Sequence, residues 1–98
     1  MEEAKALMRK TLPVARRVLG ENDRLTLKMK NVYAVALYKD PAATLDDLRE
    51  AVTTLEEIYG TTRRVFGGAH PLVTGIEAAL REARAALGSR ETPSSRGI

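Results

Sequence analysis

The chain has 98 residues, 44% of them hydrophobic and 30% charged, with a net charge of +3 and no cysteine. This suffices for one small domain with a modest core, and the lack of thiols excludes a disulfide framework, a zinc finger and any thiolate metal site. No apolar run approaches the roughly 20 residues that span a bilayer, and the acidic opening Met1-Glu2-Glu3 is unlike a signal peptide, so a cytoplasmic protein is expected.

The first predicted helix runs from Glu2 to Leu19. Its apolar positions Ala4, Leu7, Met8, Leu12, Ala15, Val18 and Leu19 step by three and four, and Gly20 stops it. Pro13 lacks an N–H and crowds the carbonyl four residues back, so a kink near Arg9 or Lys10 is expected rather than a break. Asn22 or Asp23 can cap a second helix, Arg24 to Lys39, with Leu25, Met29, Val32, Tyr33, Ala36 and Leu37 on one face; Asp40-Pro41 ends it. Thr44, with Asp47 three residues on, approximates a capping box for a third helix from Leu45 to Phe66. Leu48, Ala51, Val52, Leu55, Ile58, Tyr59 and Val65 form its apolar side, and Gly60 is a soft spot costing about 1 kcal/mol relative to Ala.

After the turn Gly67-Gly68, Pro71 opens a fourth helix through Leu72, Ile76, Ala79, Leu80, Ala83 and Leu87, which Gly88 is expected to close. Ser89 to Ile98 hold Pro, Ser, Gly and charge with almost nothing apolar, so a disordered tail is expected. The predicted organisation is an all-α helical domain over residues 1–88 and a tail over residues 89–98.

Superimposed on these elements is a repeat. Arg16-Arg17-Val18-Leu19-Gly20 returns as Arg63-Arg64-Val65-Phe66-Gly67, an offset of 47 residues, and Ala4 with Ala51, Met8 with Leu55 and the breakers Pro13 with Gly60 keep the same spacing. A fixed period of helical elements points to stacked helical hairpins, in which each unit buries its neighbour's face.

The stretch Ala15-Arg-Arg-Val-Leu-Gly-Glu-Asn-Asp-Arg-Leu-Thr-Leu27, with its partner Thr62-Arg-Arg-Val-Phe-Gly-Gly-Ala-His-Pro71, resembles the tetratricopeptide repeat (TPR) of the kinesin light chain type. Glu2-Glu3-Ala4 is similar to the start of that family's helix B, and the resemblance extends over residues 2 to 87. It implies a short α-solenoid of antiparallel hairpins whose A helices line a groove for a peptide or protein. The spacing here is longer than the family's, the surplus falling around Asp40-Pro41-Ala42-Ala43. The family's paired Asn appears as Asn31 followed by Val32, and Arg81 near a position for a small buried residue points to a terminal cap with one wet face.

On this reading the order is helix B, helix A, helix B and a cap. The apolar stripe of helix one then lacks an N-terminal neighbour, and Leu7, Met8 and Leu12 are expected to be without a partner. Either the chain is the C-terminal part of a longer array or this face serves self-association or another protein.

The residues give no enzyme constellation. His70 is the only histidine and precedes Pro71 at a helix start, a turn role. Asp46, Asp47 and Glu50 suit the positive end of a helix dipole better than a metal. The glycines are neither preceded by a strand nor followed by Gly-Lys-Ser/Thr, which excludes a phosphate loop, and no cofactor is implied.

The candidate binding residues lie on helix two. Lys28, Asn31, Val35, Tyr38 and Lys39 form one stripe, corresponding in the family to the peptide groove. Asn31 can bond a peptide backbone through donor and acceptor, the lysines can meet carboxylates, and Tyr38 offers an aromatic shelf. The expected function is a non-catalytic protein-interaction module for an acidic peptide. A basic helical binder of nucleic acid is the alternative; against it, the basic residues are interspersed with 13 acidic ones and the aromatics form no stacking platform.

Overall fold

The computed structural model describes residues 2–91, and within them the chain is entirely helical between its turns: α1 (Glu2–Leu19), α2 (Arg24–Lys39), α3 (Leu45–Phe66) and α4 (Pro71–Glu91). Local signals account for most boundaries. Asp23 caps α2 by accepting from the Leu25 N–H at 2.9 Å. At α3 the capping box is complete: the Thr44 hydroxyl oxygen accepts from the Asp47 N–H at 3.0 Å, and the Asp47 carboxylate accepts from the Thr44 N–H at 3.1 Å. Helix α1 runs unbroken through Pro13, and α3 through Gly60.

One boundary differs from expectation. Helix α4 passes through Gly88 to Glu91, so the first residues assigned to a tail are helical. The Arg90 guanidinium donates to the Ala43 carbonyl at 2.7 Å, and Glu91 lies 3.5 Å from Arg49. These contacts hold the last turn against the α2–α3 loop and α3, outweighing the helix penalty of one glycine. The rest of the predicted tail, residues 92–98, lies outside the described residues.

Side-chain contacts fix the helix directions. Lys5 meets Asp40, Arg9 meets Tyr33 and the Ala15 carbonyl accepts from Thr26, so α1 and α2 are antiparallel. Glu56 with Arg84 and Arg49 with Glu91 make α3 and α4 antiparallel as well. Helix α2 is central: it packs on α1, on α3 and on α4. The Tyr33 hydroxyl, donating to Glu50 and accepting from Arg9, ties three helices together at one point.

The sequence repeat is also a structural one. Gly20 and Gly67 both take positive φ, +103° and +91°, conformations that favour glycine. The Gly20 N–H donates to the Arg16 carbonyl at 3.1 Å and the Gly67 N–H to the Arg63 carbonyl at 2.9 Å. Asp23 then donates to Gly20 and Leu27 to Asp23, as His70 donates to Gly67 and Thr74 to His70. Even the side-chain cap recurs, with the His70 Nδ1 accepting from the Leu72 N–H at 3.1 Å where the Asp23 carboxylate accepts from Leu25. The α1–α2 and α3–α4 turns are thus copies, bond for bond.

The core joins Leu27, Ala34 and Leu37 of α2 to Ala51, Leu55 and Ile58 of α3 and Ile76 and Ala83 of α4, all at most 2% exposed. Two expected faces are corrected. In α2, Thr26, Leu27 and Ala34 are buried with Tyr33, Ala36 and Leu37, whereas Leu25 and Val32 are 52% and 43% exposed. Three neighbours cover α2, so its buried arc is wider than one stripe and rotated from the predicted one. In α1, Leu12 and Ala15 are buried and Met8 packs against the core; of the three residues expected to lack a partner, only Leu7 is exposed. Lys5 is also buried, paired with Asp40 at 2.8 Å.

Candidate functional site: a groove between α2 and α4

The duplicated turn determines where a site can form. It starts α2 and α4 in the same manner, and the two run side by side in parallel, their N-terminal halves lining one hollow and Tyr38 meeting Glu82 farther along. Between their N-terminal halves lies a concavity of about 380 Å³. Lys28, Asn31 and Val32 line it from α2; His70, Leu72 and Gly75 line it from α4, with Arg24 and Pro71 completing the wall. Gly75 occupies the position in α4 that Lys28 occupies in α2, and a Cβ built there meets nothing within 4 Å. The absent side chain leaves the groove open at that point.

Of the five predicted binding residues, the structure brings Lys28 and Asn31 to this groove. Tyr38 serves another purpose: its hydroxyl donates to Glu82 at 2.7 Å and closes the far end between α2 and α4. Burial, then the adjacent carboxylate, pushes the phenol pKa well above its usual value, so Tyr38 remains a donor. Val35 is half-buried against the core, and Lys39 is exposed in the last turn of α2, outside the groove lining.

Asn31 is half-buried, and its Oδ1 is fully shielded with no hydrogen-bond partner among the described residues. A shielded acceptor left unpaired costs about 1–3 kcal/mol, and this conformation of Asn31 closes Oδ1 off from the groove. Arg24 and Lys28 flank it, no acidic residue is in the lining, and a second hollow of about 370 Å³ lies against Asp23, Arg24, Leu25 and Lys28. The carboxylate in that second lining, Asp23, is engaged as the α2 cap. The site is therefore basic, partly apolar and elongated along α2.

Sequence reading missed Arg24, His70, Leu72 and Gly75, and assigned Val32 to the core. The signal was in the repeat: the 47-residue offset aligns α4 with α2, so the groove wall facing Lys28 and Asn31 is supplied by the equivalent helix. His70 has the turn role expected of it, capping Leu72 and stacking on Phe66 with ring centroids 4.7 Å apart.

The acidic cluster at the start of α3 is spent internally, Asp47 on the capping box, Glu50 on Tyr33 and Asp46 on Arg49 at 3.7 Å. Among the described residues no group of three or more His, Cys, Asp or Glu is placed to hold a metal ion, and no helix is long and apolar enough to cross a membrane. No protein-family model matches the chain, and neither a curated protein nor a solved structure is detectably similar to it.

Proposed function

We propose that this chain is a non-catalytic protein-interaction module, a short TPR-like α-solenoid, and that the groove between α2 and α4 takes an extended acidic peptide segment of a partner. The observation that carries this reading is the lining of the groove, where Arg24 and Lys28 stand with Asn31 beside the apolar Val32 and Leu72 and no carboxylate is present. An extended backbone offers the N–H and C=O groups that a carboxamide can pair, and acidic side chains complement the two cations. The copied turns support the solenoid, because they place two equivalent helices side by side as the walls of one groove.

Titration calorimetry against a library of extended peptides bearing two or more Asp or Glu residues tests the reading. Asn31→Ala is expected to weaken binding by about 1–3 kcal/mol, since it strands the peptide groups it paired. Lys28→Glu should cost less, because an exposed ion pair contributes about 0–1 kcal/mol, with an added repulsion that salt reduces. Gly75→Leu places a side chain in the open part of the groove and should abolish binding while circular dichroism stays unchanged. Wild-type affinity in Asn31→Ala and Gly75→Leu would move the site elsewhere. A steep loss of affinity with salt, in a binder of single-stranded nucleic acid, would favour phosphate recognition instead.

A further inference from the structure

Helix α1 carries an apolar stripe on the side turned away from the core. Leu7, Val14 and Val18 are 59%, 46% and 71% exposed, and with Ala4 and Thr11 they follow i, i+3, i+7, i+10, i+14 spacing along one face. The repeat indicates what such a face is for. At the equivalent positions in α3, Ala51 and Ile58 are 0% and 2% exposed, Thr54 and Thr61 are half-buried and Val65 is 50% exposed, and beside them Glu50 accepts from Tyr33 of α2. The other side of α3 meets α4 through Glu56 and Arg49, just as the equivalent side of α1 meets α2 through Lys5 and Arg9. The α1 stripe is the counterpart of a face that α2 covers in part on α3.

The rest of the molecule narrows the choice of helix. Both α2 and α3 are packed by helices on more than one side. On α4, Arg84 is engaged by Glu56 of α3 and Glu77 lines a hollow beside Tyr59, while the exposed Arg81 would set a charge against Leu7 or Val18, which disfavours head-to-tail stacking of copies. Helix α1 itself is left, and the two ends of its flank are complementary in charge. Glu3, Lys10 and Arg17 are exposed at heptad spacing beside the stripe. When two α1 helices pack antiparallel about a two-fold axis, this flank meets its own copy. Glu3 then faces Arg17 of the other copy twice, and Lys10 faces Lys10 near the axis.

We propose that the protein forms a two-fold symmetric dimer by antiparallel packing of α1 on α1 of a second copy, with Leu7, Val14 and Val18 at the seam. One helix pair buries less than the roughly 1,200 Å² of a standard interface, so the dimer is weak and exchanges readily.

Sedimentation velocity on the full chain, from micromolar to millimolar concentration, provides the test. The expected result is a concentration-dependent monomer–dimer equilibrium, weakened about ten-fold or more by Val14→Glu and by Val18→Lys, a loss of at least 1.4 kcal/mol in association. Glu3→Lys and Arg17→Glu should each weaken self-association, whereas an equimolar mixture of the two variants regains it, because both charge pairs are restored only across the mixed dimer. Lys10→Ala should tighten the dimer. Circular dichroism of each variant checks that the helices persist. A monomer throughout the range, a dimer indifferent to Val14→Glu, or variants that fail to associate on mixing would overturn the proposal.

Discussion

Helix α3 runs between two neighbours and α1 lies against one, although the two helices align residue for residue through their shared C-terminal turn. In α3, Ala51, Leu55 and Ile58 are at most 2% exposed; at the equivalent positions in α1, Ala4 is exposed while Met8 and Thr11 are half-buried. The same register therefore yields a closed core in one copy and a half-covered face in the other. What differs is the number of helices within reach, and with it the apolar area withdrawn from water. Stability should be concentrated in the α2–α4 unit, with α1 the more weakly held element.

The largest expected effect sharpens that contrast. Leu55→Ala should lower the unfolding free energy by about 2–5 kcal/mol, the range for a leucine truncated in a tight core. Met8→Ala, at the matching position of α1, should cost clearly less. Urea denaturation followed by circular dichroism measures both, and equal losses would break the comparison.

An intermediate effect is expected at the turns, where the two halves should behave alike. Gly67 sits at φ +91°, ψ 155°, a region kept for glycine, and Gly20 at φ +103°; a Cβ added at either position would meet no atom within 4 Å, so the penalty is one of backbone alone. Gly67→Ala and Gly20→Ala should each cost about 1–3 kcal/mol in thermal or chemical denaturation. A cost at one and none at the other would show that the bond-for-bond copy is not an energetic copy.

The smallest net change is expected from exchanging the contents of one interface for those of the other. Lys5 and Asp40 form an ion pair whose side chains are 5% and 9% exposed, while the equivalent positions hold Val52, in the core, and Leu87, packed against it. Lys5→Val alone should destabilise, since it leaves a shielded carboxylate without its cation. The double change Lys5→Val with Asp40→Leu should come out near neutral, as replacement of shielded ion pairs by apolar residues often does.

The pair also predicts a pH dependence. The Lys5 ammonium, and then the Ala42 N–H, hold the Asp40 carboxyl below its ordinary value of 3.8. The folded pKa is the lower one, so the contribution is complete above that ordinary value and is lost as pH falls through the folded value. Acid titration of stability should show this loss in the native chain and lack it in the double variant.

Much of this molecule was legible in the chain itself. The four helix spans rest on local signals, namely Asp23, the Thr44–Asp47 box, Pro71 and the two positive-φ glycines, because capping and turn chemistry act within a few residues. The 47-residue offset marked the two turns as copies in sequence, and the structure gives them one geometry. Tertiary structure decided the rest. Periodicity indicates that a helix has an apolar face, but the number of neighbours sharing it sets how wide the buried arc becomes, which is why Thr26 and Ala34 of α2 are buried while Leu25 and Val32 are exposed. Helix α4 outlasts Gly88 because Arg90 and Glu91 find partners on Ala43 and Arg49, residues far away in sequence. The groove belongs to the same class: Lys28 and Asn31 were visible as one edge, and the opposite wall of His70, Leu72 and Gly75 exists only because α4 packs parallel to α2 and brings distant residues face to face.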